Sequence, residues 1–450
     1  MPNALSKTNS AVAQQTPRQR RASQLLAAGV FSLLLFAPLA FGSTDPWAIF
    51  ALQAGSALLL VLWVVRQSMN PELTIQTNPL FAPMVAFAAL ALVQILFRRS
   101  AYPYQTRADL FLYLAYGTLA FLAAQTVRRG SQIRKLAVLF SVYGTAIALF
   151  AILQSFTSGG KVYWIWTPEF GGWIFGPYVN HNHYAGLMEL LVPIPLVASL
   201  TSFLRGREKL FAASAASLMA GTIFLSGSRG GMLAFIVEIG VMAGILSLQK
   251  RGTRVGLALG VFIVVTFGVI AWIGGGAIAS RLVSVGAEAR QELDGGVRLG
   301  IDRDGLRMFT HHPWIGTGLG TFPVVYPEYR SFSTTFYINE AHNDYIQLLV
   351  EMGGIGFALM VWLLWAFFRS AIRKFGEWQT SANGAIALAA ILGCSGILVH
   401  SFFDFNLQIP ANAALFYVLA TLGAAKPVPE SVRRKKSNSL LIEEVWATPA

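Results

Sequence analysis

Residues 383–401 read NGAIALAAILGCSGILVHS, a 19-residue run without Asp, Glu, Lys or Arg. An α-helix needs about 20 apolar residues to cross the hydrocarbon core of a bilayer. Eleven further runs of this kind lie near 24–42, 47–65, 80–97, 108–126, 135–156, 185–203, 209–226, 231–248, 255–275, 344–367 and 409–424. The pattern predicts an all-α integral membrane protein with about twelve transmembrane helices.

The composition of the whole chain supports this prediction. Charged residues make up 12% and hydrophobic residues 55% of the chain, and the mean hydropathy is +0.56, values too apolar for a soluble protein of this length. The net charge of +13 comes from short basic clusters between apolar runs, which indicate membrane topology rather than nucleic-acid binding. Cys394 is the only cysteine, which excludes an intramolecular disulfide and a thiolate metal cluster.

The basic residues also predict an orientation. With the N-terminus in the cytoplasm, 23 of the 34 Lys and Arg residues fall on the cytoplasmic side, as the positive-inside rule requires. Arg98, Arg99 and Arg107 are the exception, between the third and fourth helices. The predicted organisation is a basic tail over 1–23, a multi-pass membrane domain over 24–424 and a second basic tail over 425–450.

The predicted outer face collects the unusual polar residues. It comprises 157–184, 227–230, 402–408 and the long loop 276–343, and loops of that length are functional or disordered in compact proteins. Mixed charge and helical spacing over 278–310 predict short helices at the membrane surface. Six aromatic residues near the first segment predict an interfacial belt or a sugar-stacking surface: Tyr163, Trp164, Trp166, Trp173, Phe175 and Tyr178.

Arg229 lies in a very short turn between two predicted helices. At the membrane boundary an arginine is costly unless it pairs with an anion or extends to the interface, so it is either a structural residue or a phosphate clamp. The flanking glycines favour the clamp, since they let a ligand approach the backbone.

His342 lies just before a predicted helix, with Asn343 or Asp344 as its cap. Histidine accepts a hydroxyl proton near neutral pH, but a histidine at a helix start also has ordinary structural roles. Asp344 is the alternative base, or the group that orients the imidazole.

His181 and His183 flank Asn182, a pattern compatible with a metal site or with a hydrogen-bonded loop that shapes a pocket. No third metal ligand is evident, so we expect no metal. Asp404 and Asn406 form either a buried polar network or a sugar contact.

Five stretches in order resemble the O-antigen ligase and polymerase family, bacterial membrane glycosyltransferases that use undecaprenyl-pyrophosphate-linked glycans. The resemblance covers about 176–413. Its motifs are GPYVNHNHYAG (176–186), SGSRGG (226–231), VRLGIDRDGLRMFTHHPWIGTGLGTF (297–322), AHNDYIQLLVEMGGIG (341–356) and HSFFDFNLQIPANA (400–413).

The resemblance implies a GT-C-like fold in the bacterial inner membrane, with its active face in the periplasm. It further implies a metal-independent, inverting transfer without a cofactor, in which Arg229 and Arg298 bind the pyrophosphate and His342 acts on the acceptor hydroxyl. Arg303, Arg307 and Arg330 are alternatives to Arg298. Supporting roles are expected for Asn180, His181, His183, Asp344, Tyr345 and Asp404.

The acceptor stays open at this point: lipid A-core, another lipid-linked glycan of an O-antigen or exopolysaccharide, or a protein hydroxyl. The competing hypothesis is a polytopic transporter or flippase for lipid-linked glycans, which also requires about twelve helices. Transporters carry ionisable residues near the bilayer midplane. Here the interiors of the predicted helices are almost free of charge, with Glu189 and Glu238 as the main exceptions. The one-sided polar face favours the enzyme.

Overall fold

The computed structural model describes residues 17–68, 75–168, 173–248, 256–268, 271, 296–334 and 337–426. Within them, two isolated bridges are the only extended pairing, and the predicted all-α membrane fold is confirmed. The helices are α1 (Pro17–Leu39), α2 (Pro46–Ser68), α3 (Phe81–Leu96), α4 (Pro103–Thr126), α5 (Gly130–Thr157), α6 (His181–Leu191), α7 (Pro193–Leu200), α8 (Arg207–Ser226), α9 (Arg229–Leu248), α10 (Gly256–Gly268), α11 (Val297–His311), α12 (Phe322–Val325), α13 (Asp344–Ile372), α14 (Ala382–His400) and α15 (Pro410–Ala424).

Each of the twelve apolar runs falls on a described helix. Nine described helices are long and apolar enough to cross a bilayer, with α6 and α7 counted as one, and α3, α10 and α15 are shorter apolar helices. Helix α11 lies in the part of the outer loop for which the sequence predicts short helices, 278–310. Most of both predicted tails lies outside the described residues, namely 1–16 and 427–450. The same holds for loop residues 276–295 and for the end of the apolar run 255–275, of which only 271 is described beyond 268.

Helix α14 lies at the centre of the bundle, in contact with α5, α6, α7, α9, α13 and α15. Buried residues make up 78% of the apolar stretch of α14 and 89% of that of α6 and α7, against 28% of α2, which faces outward. Small residues permit this packing: a Cβ on Gly393 would lie 3.0 Å from the carbonyl oxygen of Glu189.

The two ends of the bundle differ in their chemistry. Residues of the predicted inner loops meet at one end, where Ser202 N donates to Gln379 O at 2.8 Å and Lys374 Nζ to Gly423 O at 2.6 Å. The other end, which we call the site end, carries the starts of α6, α9 and α13 and the end of α14. Arg98 and Arg99 lie at the site end too, since Ala101 N donates to Thr317 O at 2.7 Å in the outer loop.

Helix α13 is interrupted at Gly353, and the outer loop is bonded into the interruption. Thr317 N donates to Val350 O at 2.9 Å and Gly354 N to Pro313 O at 2.8 Å. Gln94 of α3, fully buried, donates from Nε2 to Glu351 O at 2.8 Å. The loop is thereby fixed to the membrane helices by backbone hydrogen bonds.

Gly353→Ala should destabilise the protein. Gly353 has φ 65° and ψ −171°, a conformation essentially restricted to glycine, and a Cβ there would lie 2.4 Å from the backbone of Trp314. We expect a loss of about 1–3 kcal/mol or more, measured as a lower apparent melting temperature in detergent. Gly240→Ala, where a Cβ meets nothing within 4 Å, is the control. Equal stability of the two variants would contradict the role assigned to Gly353.

Candidate active site

Asp404 is the centre of the candidate site. It follows α14 and is 1% exposed, and Phe405 N donates to its Oδ1 at 2.8 Å while Asn182 donates from its side-chain amide to Oδ2. Its Oδ1 also lies 3.8 Å from His183 Nε2 and 3.6 Å from His342 Nδ1.

The charge of Asp404 follows from these neighbours. Burial alone would raise its pKa, but the neighbouring imidazoles of His183 and His342 outweigh burial and bring the pKa of Asp404 well below its ordinary range. The group is therefore a carboxylate at neutral pH. Its contribution to stability is present above the ordinary Asp pKa and is lost as the pH falls through the depressed value.

His342 is held in an unusual backbone conformation, with φ 54°. Asn343 caps α13 by accepting from Tyr345 N at 3.1 Å, so the first of the two predicted caps is the observed one. The imidazole packs edge-on against the Phe405 ring at 4.9 Å between centroids. Its Nδ1 is buried against Asp404 while the side chain is 30% exposed, so the exposed edge of the ring lies away from that carboxylate.

Asp344, the alternative partner for His342, is engaged elsewhere. Its Oδ2 accepts from Ser401 Oγ at 2.7 Å and from Leu407 N at 3.2 Å. Of the two carboxylates, Asp404 therefore lies beside the imidazole. Tyr345 donates from its hydroxyl to Leu398 O at 2.6 Å and so ties α13 to α14.

The two histidines of the 176–186 motif face different partners. Asn180 caps α6 by accepting from Asn182 N at 2.8 Å, and its side chain lies 3.4 Å from His183 Nε2. His181 Nδ1 lies 2.9 Å from Ser226 O. His183 thus lies beside the Asp404 carboxylate, whereas His181 joins α6 to the end of α8.

In the described part of the chain, no group of three or more His, Cys, Asp or Glu side chains is arranged to hold a metal ion. The aromatic residues of 157–184 differ in their exposure. Trp173 is 40% exposed and stacks on His181 with 4.8 Å between ring centroids. Phe175 and Tyr178 are 4% and 1% exposed, so an interfacial or sugar-stacking role was wrong for these two, which pack into the core.

The two predicted arginines lie on different helices of the site end. Arg298, in the first turn of α11, donates from Nη1 to Phe403 O at 3.0 Å, one residue from Asp404. Arg303 and Arg307, on the same helix, are exposed. Arg298 is therefore the α11 arginine that is bonded beside the carboxylate.

Arg229 begins α9 and is exposed. The glycines that follow it serve packing rather than ligand approach: a Cβ on Gly230 would lie 2.5 Å from the His400 ring, and one on Gly231 would lie 2.6 Å from Ala185. They let the start of α9 lie directly against α6 and α14. This close packing fixes where Arg229 leaves the bundle.

A buried polar cluster lies beneath these residues. His400 Nδ1 is 2.7 Å from Glu189 Oε1, and both side chains are at most 1% exposed. A Cβ on Gly396 would lie 2.1 Å from Glu238 Oε1, so Glu238 packs against the same helix. The three side chains link α6, α9 and α14 beneath the arginines and histidines of the candidate site.

Comparison with known families agrees with the motifs. A family model described as O-Antigen ligase matches residues 214–361. Residues 214–361 are therefore similar to the O-antigen ligase family. The matched segment runs from α8 into α13 and includes Arg229, Arg298 and His342, so the predicted resemblance is confirmed. No curated protein matches the chain.

The O-antigen ligase segment does not contain every group of the site. Asp404, Asn182 and His183 lie outside 214–361 and reach the segment through the contacts described above. Sequence reasoning included Asp404 only as a supporting residue and assigned no role to Asn182. The contact of Asp404 with His342 joins residues 62 positions apart, a separation that carries no periodic signal.

Proposed function

We propose that the protein transfers glycans from undecaprenyl pyrophosphate to an acceptor hydroxyl at the periplasmic face of the bacterial inner membrane. The observation that carries the proposal is the pairing of His342 Nδ1 with the buried Asp404 carboxylate, 3.6 Å apart, beside the anchored Arg298. The arrangement follows the logic of a general base beside a carboxylate: the charge of Asp404 stabilises the protonated imidazole, and the exposed edge of the ring accepts a proton.

The proposed step balances as follows in atoms and charge. The acceptor oxygen forms a bond to the anomeric carbon of the donor while the bond from that carbon to the pyrophosphate oxygen breaks. The hydroxyl proton passes to His342, and undecaprenyl pyrophosphate leaves with the bonding electrons. Attack from the face opposite the leaving group inverts the anomeric centre.

Arg229 and Arg298 act on the leaving group. Guanidinium groups bind pyrophosphate oxygens through paired, charge-assisted hydrogen bonds, and cations placed where charge grows stabilise the transition state. In this proposal the two arginines supply the charge that a divalent cation supplies in other pyrophosphate chemistry, and transfer is metal-independent.

Arg298→Ala should lower the turnover of reconstituted protein by about 10²–10³, because the leaving group loses a cation. Arg298→Lys should recover only part of the rate, since lysine keeps the charge without the planar fork. The matched control is Arg303→Ala, an exposed arginine on the same helix, for which we expect little change. The assay follows release of undecaprenyl pyrophosphate in proteoliposomes. Equal losses in both alanine variants would point to the charge of α11 as a whole.

The same assay separates the enzyme from a transporter. A transporter moves the lipid-linked glycan between leaflets without cleaving the pyrophosphate bond. Release of undecaprenyl pyrophosphate with formation of a new glycosidic bond supports the proposal. Flipping of an intact donor without release contradicts it.

A further inference from the structure

Two arginines, Arg66 and Arg128, lie at the end of the bundle opposite the site end. Arg66 is in the last turn of α2, and Arg128 follows the end of α4 by two residues. The two helices pack against each other near these ends, where the rings of Trp63 and Phe121 meet edge to face with 4.8 Å between their centroids. Trp63 lies one turn before Arg66, and Phe121 lies in the last two turns of α4. This contact therefore brings both arginines to the same rim of the bundle, and we call them the arginine pair.

The arginine pair has no anion in the described part of the chain. The Nε atom of each residue is buried without a hydrogen-bond partner, whereas the Nη atoms reach the surface of these partly exposed side chains. Burial first, and then the charge of Arg66, lower the pKa of the Arg128 guanidinium, so the two cations lie close to each other. Arginine stays protonated in proteins, and two like charges at a partly buried position are costly unless an anion joins them.

Hydrogen bonds fix the backbone around the pair. Gln132 accepts from Arg128 N at 3.0 Å and donates to Thr126 O at 2.9 Å, which holds the turn between α4 and α5. Gln125 accepts from Gln76 N at 2.9 Å and donates to Gln76 O at 2.9 Å, which ties the segment before α3 to the end of α4. The arginines are thus presented from a fixed frame rather than from free chain ends.

The neighbouring sequence supplies no negative charge to this frame. The described stretches that meet here, 61–68, 75–80 and 121–132, contain no Asp or Glu. Glu72 is the carboxylate nearest to Arg66 in the sequence, and it lies outside the described residues. Among the described residues, the compensating anion must therefore come from a ligand.

An apolar surface begins directly beside the pair. The helical turn before Arg66 exposes Val61, Leu62, Val64 and Val65, each 48–57% exposed. Helix α2 as a whole faces outward, with 28% of its apolar stretch buried. A soluble anion gains nothing from such a surface, whereas a lipid can lay its acyl chains on it with the phosphate level with the end of the helix.

We propose that Arg66 and Arg128 bind the phosphate of an anionic phospholipid whose acyl chains lie along the exposed face of α2. Guanidinium groups bind phosphate oxygens through paired, charge-assisted hydrogen bonds. Basic pockets between membrane helices hold anionic lipid head groups in the same way. The site lies at the opposite end of the bundle from His342 and Arg298, so it goes beyond the proposed transfer and does not depend on it.

The test uses the full-length protein in detergent and measures bound lipid by native mass spectrometry. Phosphatidylglycerol and phosphatidylcholine are titrated separately, since they can carry the same acyl chains and differ in net charge. We expect the parent protein to prefer phosphatidylglycerol. Arg66→Ala and Arg128→Ala should each weaken phosphatidylglycerol binding about fivefold, and the double variant about thirtyfold.

The matched control is Arg207→Ala, which removes an exposed arginine at the start of α8, at the same end of the bundle. It should leave the preference for phosphatidylglycerol unchanged. Melting in detergent gives a second readout and shows that the variants are folded: phosphatidylglycerol should raise the apparent melting temperature of the parent protein more than that of the double variant. An equal preference in the parent protein and the double variant, or an equal loss in Arg207→Ala, overturns the inference.

Two further arms identify the source of the anion. Inorganic phosphate at the concentration of the lipid should not displace phosphatidylglycerol, and displacement would overturn the assignment to a lipid. Glu72→Gln should leave lipid binding unchanged. A gain in affinity in that variant would show that the chain supplies its own anion to the pair, and would overturn the inference as well.

Discussion

His342→Ala should lower the rate of glycan transfer by about two to four orders of magnitude. The physical reason is that the imidazole lies with Nδ1 3.6 Å from the Asp404 carboxylate, oriented to accept the acceptor proton on its exposed edge. The measurement is donor turnover in proteoliposomes at saturating donor. The control is His311→Ala, since His311 contacts Tyr329, is exposed and has no part in the proposed chemistry. A variant within threefold of the parent protein would remove His342 from the chemistry.

Asp404→Asn distinguishes an oriented base from a histidine that acts alone. The amide keeps the shape but loses the charge that stabilises the protonated imidazole, so we expect a large loss of rate. The double variant with His342→Ala should be little slower than His342→Ala, because residues that act as a unit are not additive. Additive losses would separate the roles of the two residues.

The largest effect on stability is expected at the buried pair of Glu189 and His400. His400→Leu leaves the Glu189 carboxyl buried without its partner, at a cost of about 3–5 kcal/mol. Unfolding in detergent, followed by circular dichroism, measures the loss.

The rescue makes this test specific to the pair. Adding Glu189→Leu to His400→Leu should recover most of the lost stability, since a buried pair replaced by apolar side chains is often neutral or stabilising. No recovery in the double variant would attribute the loss to packing of His400 against Gly230, where a Cβ would lie 2.5 Å from the ring.

Much of the fold follows from the sequence because the bilayer imposes a length. A run such as 383–401 must span the core as a helix, and the observed helix Ala382–His400 differs from it by one residue at each end. The break at Gly353 was not predicted. Its glycines are part of an otherwise continuous apolar run. The backbone groups that bond to the interruption lie in the outer loop, 33 to 41 residues earlier in the sequence.

The sequence singled out the residues of the candidate site, but the pairing of His342 with Asp404 was not predicted. Motifs singled out His342, Arg229 and Arg298, yet the sequence offered Asp344, two residues from His342, as the natural carboxylate. Asp404 takes that place because α14 ends where α13 begins, and Asp344 N donates to Ser401 O at 2.9 Å across that junction. Such a pairing depends on helix packing, which local spacing does not encode.

The interruption in α13 makes the outer loop and the membrane bundle a single exchangeable unit. A replacement for 313–320 that follows a different backbone path would leave the carbonyl of Val350 without its loop donor in a buried position. Gln94, which donates to Glu351 O and accepts from Leu319 N at 3.1 Å, would lose contacts as well. A loop with a different backbone path can therefore be grafted only together with 350–355 and the residue at 94, so the outer loop and the membrane helices must change together.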